Sequence, residues 1–192
     1  VNRQPQADGS PEQTQGVPET RRRLFEHYRE RRAREWIQST GLSMTPLLVP
    51  GTMLLVEFGR ADAKLGEIAI FTSGDTIVCH RVVSRARGAH GQFLTKGDAM
   101  PRFDDPVSLQ DLLGVVVAWR RSESEHATPE GCAGALAGAI ARLSYLEGAF
   151  EASPRAWARA GGKLLPRAAR HLVEILAATA LRRAQRADAR DR

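Results

Sequence analysis

The sequence predicts an α+β protein whose working part is mainly β. The expected form is a coiled antiparallel sheet or partly closed barrel, with an N-terminal helix and a C-terminal α-helical appendage. Three observations predict it: short runs rich in β-branched and aromatic residues lie between 53 and 119, Gly- and Pro-containing turns separate them, and Ala-rich helical stretches follow after 131.

Residues 1–19 are polar, rich in Gln, Pro and Gly, and without apolar periodicity, so they read as a disordered tail. Over 20–38, Leu24, His27 or Tyr28, Ala33 and Ile37 recur at helix-like spacing among charges. That pattern predicts an amphipathic helix stopping before Gly41, which would serve as its C-cap. Strands are expected over 53–58, 68–72, 76–83, 92–95 and 113–119. The turns between them fall at Pro50-Gly51, Ser73-Gly74-Asp75, Arg87-Gly88 and Gly97-Asp98. Several short strands joined in this way make one β-rich domain over 39–121. The polar stretch 122–131 reads as a linker, and 132–192 as a basic helical appendage broken near Ser153-Pro154, Gly161-Gly162 and Pro166.

With 192 residues, the chain is long enough for one domain of ordinary size plus appendages. Its 26% charged and 42% hydrophobic residues exclude a fibre or a largely disordered chain. A net charge of +6 suggests an anionic partner, but much of the excess lies between Arg155 and Arg186. Those helices admit two readings. Their arginines, beside Trp157, Leu172 and Ile175, would rest peripherally on an anionic membrane, or the helices pack on the β domain and turn the charges to water. The second is the expectation, because charge runs on helices are usually solvated faces.

Cys79 and Cys132 have neither metal-ligand spacing nor the pattern of a disulfide framework, so reduced thiols and no cofactor or metal are expected. Cys79 neighbours His80, yet successive side chains of a strand point to opposite faces, which argues against a thiol–imidazole pair. The charge-free run 36–56 contains Pro46, Pro50 and Gly51 and does not read as a transmembrane helix. Nor does any segment read as a secretory signal, so a cytoplasmic or peripheral membrane location is expected.

Three motifs carry candidate chemistry. In Gly41-Leu42-Ser43-Met44-Thr45-Pro46, Ser43 lies between a glycine and a proline at a loop-to-strand transition. Such a turn exposes a hydroxyl and leaves nearby backbone N–H groups for an oxyanion. In Ile77-Val78-Cys79-His80-Arg81-Val82-Val83, His80 shares a strand face with Val78 and Val82. A neutral imidazole held on a strand is what a serine hydroxyl needs to lose its proton. In Lys96-Gly97-Asp98-Ala99-Met100, followed by Asp104-Asp105-Pro106-Val107, a turn supplies carboxylates that can orient the imidazole.

The order of these blocks resembles the type I signal peptidase family. Ser-Met-x-Pro precedes an apolar strand; Gly-Glu-Ile-Ala-Ile-Phe, His-Arg-Val-Val, Lys-Gly-Asp-Ala and Leu-Gly-Val-Val-Val follow. The resemblance is strongest to the endoplasmic-reticulum and archaeal branch, which uses histidine where the bacterial branch and the related self-cleaving repressor proteases use lysine. It spans about 39–119. It implies a signal-peptidase-like fold and a serine endopeptidase acting on a leader or precursor peptide. In that reading Ser43 is the nucleophile and His80 the general base. Asp104 is the third member, with Asp105 as its alternate, and Asp98 has a supporting structural role. The Ser43 backbone and Met44 would serve the oxyanion, while the strand near Met53 would line shallow pockets for small side chains. Lys96 matches a common family position and is expected to be a packing or solvated residue.

The chain departs from the family in three places. A charged segment, 21–37, stands where the family has a membrane helix, Gly41 stands where the bacterial branch often has serine, and Thr52 where aspartate commonly follows the glycine. Gly41 and Thr52 leave the expected catalytic pair in place; the missing membrane helix and the added C-terminal helices keep open an alternative, a catalytically inactive relative that binds peptides or a partner. Nucleic-acid binding is favoured only by the net charge and the Arg-rich 21–34 segment; no second helix with a turn precedes Ser39, so a helix-turn-helix is not expected.

Overall fold

The structure, a computed structural model, describes residues 19–85, 91–121, 134–152 and 164–188. In chain order these form α1 (Glu19–Glu30), β1 (Arg34–Gln38), β2 (Met53–Phe58), β3 (Ile68–Ser73), β4 (Thr76–Arg85), β5 (Gln92–Lys96), β6 (Val107–Ser108), β7 (Leu112–Arg120), α2 (Gly134–Ala152) and α3 (Leu164–Asp188). The seven strands make one antiparallel sheet in the order β1-β2-β7-β3-β4-β5-β6. The α+β class expected from the sequence therefore holds, but the partly closed barrel does not. β1 and β6 are separate edges, and the sheet stays open. Register shifts between Leu55 and Val56, Ile70 and Phe71, and Val82 and Ser84 bend it instead, each leaving one strand a residue longer than its partner.

Both faces of the sheet are covered, as strand alternation requires. On one face Leu54, Val56, Phe58, Ile68, Ile70 and Trp119 pack with Phe25 of α1, with Met44, Leu47 and Leu48 of the loop before β2, and with Ala177 and Ala180 of α3. On the other, Ala69, Phe71, Val82, Phe93, Leu112 and Val115 form a second cluster with Val107. The helices after 131 are thus packed against the β domain, in line with the favoured reading of them. Arg170 and Arg182 among their described cations are exposed or partly so, while Arg155, Arg159 and Trp157 lie outside the described residues. Pro166 does not break a helix but falls in the first turn of α3, where a missing N–H leaves no bond unmade.

The five predicted strands are present nearly as expected, with two more added. The predicted helix over 20–38 is the main correction. It stops at Glu30, and 34–38 becomes β1. Arg32 takes a left-handed conformation (φ 50°), Ala33 N–H returns to Tyr28 O at 3.0 Å and Arg32 N–H to Arg29 O at 3.2 Å. These bonds form a Schellman cap six residues or more before the expected stop, with arginine where glycine is usual. Trp36 and Ile37 then pair with Leu55 and Leu54 of β2. Gly41 caps no helix. The buried face of α1 is also rotated from the expected one: Leu24 is exposed, while Phe25 and Tyr28 stack on Phe58, with ring centroids 5.5 and 5.3 Å away. The second addition, β6, has two residues, too few for any period to register. The tail 1–18, the Arg87-Gly88 turn, the 122–131 linker, Cys132 and the breaks at Ser153-Pro154 and Gly161-Gly162 lie outside the described residues. Among the described residues no helix is long and apolar enough to cross a membrane.

Candidate active site

Ser43 is placed by the loop between β1 and β2. Ser39 N–H donates to Thr52 O and Gly51 N–H to Ser39 O, both at 2.8 Å, closing the neck of the loop. Thr52 is buried there and its Oγ1 accepts from Val49 N–H at 3.2 Å, which fixes the end of the loop. Inside the neck, Met44, Leu47 and Leu48 are buried, and Leu48 N–H donates to Met44 O at 2.9 Å. Burial of such side chains is worth about 1.5–3 kcal/mol each, so the loop is anchored from within. Ser43 is left half-buried at its margin, with Leu42 exposed on one side.

His80 lies on β4 opposite Ala69 of β3, and its ring meets Phe71 edge-on at 6.4 Å. It therefore shares a face with Val78 and Val82, as expected, while Cys79 packs into the opposite cluster. His80 Nδ1 is 2.7 Å from Asp104 Oδ2, and Thr95 Oγ1 donates to the same oxygen at 2.6 Å. Asp104 N–H donates to Thr95 O at 3.0 Å, which ties the loop to β5. Asp104 is half-buried and Asp105 is exposed, so of the two carboxylates the structure selects Asp104 as the partner of the imidazole.

With Nδ1 engaged by Asp104, the second ring nitrogen faces the Ser43 loop. A Cβ built on Gly97 would sit 2.7 Å from Ser43 O and 3.0 Å from His80 Nε2. Both groups therefore border the same point in space, and only glycine fits between them. Ala99 N–H donates to Ser43 O at 2.8 Å, fastening the two turns together. Ser43, Met44 and His80 line one cavity of about 300 Å³ with Phe25, Ile37, Leu54, Ile70, Ile77 and Val78. Among the described residues Ser43 Oγ makes no hydrogen bond to His80, whose ring is bonded through Nδ1 to Asp104; a nucleophile–base bond of this kind commonly tightens only when substrate binds. Among the described residues no backbone group accepts a hydrogen bond from the N–H of Ser43 or Met44.

The remaining expected residues divide. Asp98 is buried and takes both Arg81 Nε (2.8 Å) and Nη2 (2.7 Å), while Arg81 Nη1 donates to Gly66 O at 2.8 Å. That geometry joins Asp98 to Arg81 and not to His80. Met53 is not among the residues lining the cavity; its neighbour Leu54 is, because alternation turns Met53 to the other side of β2. Lys96 is neither solvated nor merely packed, but fully buried against Glu147 Oε2 at 2.7 Å.

Sequence reasoning missed Arg21 and Phe25 of α1 as cavity-lining residues, since a surface helix carries no mark of what it faces. It also missed Arg81. An arginine inside the apolar run 77–83 was the available signal, because a buried guanidinium requires a carboxylate. Comparison with known proteins finds no family model, no curated protein and no solved structure that matches the chain.

Proposed function

We propose that the protein is a serine endopeptidase of the signal-peptidase type, cutting a leader or precursor peptide with Ser43, His80 and Asp104. One observation carries the reading: Asp104 holds His80 through Nδ1 at 2.7 Å while Gly97 seats Nε2 against the Ser43 loop. In the acylation step, Ser43 Oγ attacks the scissile carbonyl as its proton passes to His80 Nε2. The tetrahedral intermediate collapses, the C–N bond breaks, and the amine leaves with that proton. Water then attacks the acyl-serine, giving its proton to His80, and the acid product departs as Ser43 Oγ regains a proton. Asp104 fixes the tautomer and stabilises the imidazolium in both halves. The N–H groups of Ser43 and Met44, which find no backbone acceptor among the described residues, would be the donors to the oxyanion.

A place for the substrate chain is also present. β5 joins β4 only from Arg81 on, so Ile77 and Val78 are paired in the sheet to β3 alone. An extended peptide laid along this edge would add a strand to the sheet, with its side chains in the apolar cavity walled by Ile37, Leu54 and Ile77.

The test is cleavage of a precursor peptide with small side chains before the cut. Ser43→Ala and His80→Ala should each lower kcat by about 10³-fold or more, because the members act as a unit. Undiminished turnover in Ser43→Ala ends the proposal. Peptide binding that survives in Ser43→Ala, with no adduct from a serine-acylating probe in the parent chain, would instead establish the inactive relative.

A further inference from the structure

Next to the Gly97 turn lies a second set of charges, largely buried, that the chemistry above does not use. Lys96, at the end of β5, donates from Nζ to Glu147 Oε2 at 2.7 Å and to Gly97 O at 3.3 Å. Glu147, on α2, accepts a second bond from Arg170 Nε of α3 at 2.6 Å. The Lys96 side chain is 0% exposed and Glu147 2%, but Arg170 is 41% exposed. A chain of alternating charge thus runs from the surface, through both helices, to the carbonyl of Gly97.

That carbonyl belongs to the turn on which the site is built. Gly97 O also accepts from Met100 N–H at 3.0 Å, and Ala99 N–H holds Ser43 O. Helix α2 grips the other end of the same segment. Phe103, the residue before Asp104, lies so close to Gly148 that a Cβ there would come within 2.5 Å of its ring, and its ring centroid is 5.5 Å from that of Tyr145. Stability alone is a weak reason for the buried pair, since apolar replacement of such pairs is often neutral or better.

We propose that Lys96 and Glu147 are positioning residues. They fix Gly97 O, and with it the turn that sets His80 Nε2 against Ser43, so the helices after 131 are part of the catalytic apparatus. The kinetic arm of this inference rests on the peptidase reading; its structural arm does not.

The experiment uses the full chain carrying K96M/E147L, which replaces the pair with apolar side chains of similar length. The variant should fold with a Tm close to the parent's, as apolar replacements of buried ion pairs commonly do. Its kcat should fall about tenfold or more while KM changes by less than about threefold, the pattern of a disturbed reacting geometry. The imidazole NMR resonances of His80 should move as well. E147Q, which strands the Lys96 ammonium, should lose both Tm and kcat. Should K96M/E147L fail to fold, E147D keeps the charge but draws it back by one methylene, and the same shift of the His80 resonances is expected. A parent chain with no peptidase activity removes only the kinetic arm. Parental His80 resonances in a folded K96M/E147L or E147D overturn the proposal whatever the activity.

Discussion

His80 and Arg81 are consecutive on β4, each meets an aspartate from the 96–104 segment, and the two pairs could hardly differ more in setting. Arg81 and Asp98 are sealed, at 0% exposure for both side chains, with a two-pronged contact and a third bond to Gly66 O. His80 and Asp104 share one bond at the wall of an open cavity, at 11% and 27%. Strand alternation sends the neighbours to opposite sides, and the side decides the task. A guanidinium stays charged under all ordinary conditions, so a sealed partner can only hold structure. An imidazole can take and return a proton, and it does so only where another molecule reaches it.

The contrast is sharpest when each aspartate is neutralised. Asp104→Asn leaves the imidazole without its orienting carboxylate; on the proposed peptidase mechanism kcat should fall about 10²–10⁴-fold, the range for acid–base assistance, with little change in Tm. Asp98→Asn strands a buried guanidinium instead. It should cost about 3–5 kcal/mol of stability, read by denaturant titration, with activity lost only as the fold is lost. A stable but inactive Asp98→Asn would break the division drawn here. Gly97→Ala comes next. Its methyl meets Ser43 O and His80 Nε2 at 2.7 and 3.0 Å, so one side must move, and displacement by about 1 Å should cost about 10²-fold in kcat/KM. The smallest effect belongs to Asp105→Asn, which is exposed: stability should stay within about 0.5 kcal/mol and peptide turnover near the parent's.

Much of this is legible in the sequence. Five strands were readable because Val, Ile and Phe alternate between Gly- and Asp-bearing turns, and His80 declared its face through Val78 and Val82. The segment before Ser43 departs from its local pattern: Leu24, Ala33 and Ile37 fall at helical spacing, while a tertiary contact decides the outcome. Gly59 passes so near the Arg29 carbonyl and Arg32 that no side chain fits, and Phe58 N–H donates to Ala33 O at 2.9 Å. The helix therefore ends at the point where β2 receives β1. Lys96 gave no hint of its partner, since Glu147 lies 51 residues away on another element.

Local pattern was sufficient for five of the seven strands and the described turns between them, and it marked the serine, histidine and aspartate blocks as candidates, because period-2 alternation and turn chemistry are properties of neighbours in the chain. The open edges of the sheet, the choice of Asp104 over Asp105, the cavity wall lent by α1 and the burial of Lys96 were settled by packing alone. Each depends on which distant surfaces meet; a charge within an apolar run, as at Arg81, signals that a partner is needed, but nothing near it in the chain says which residue that partner is.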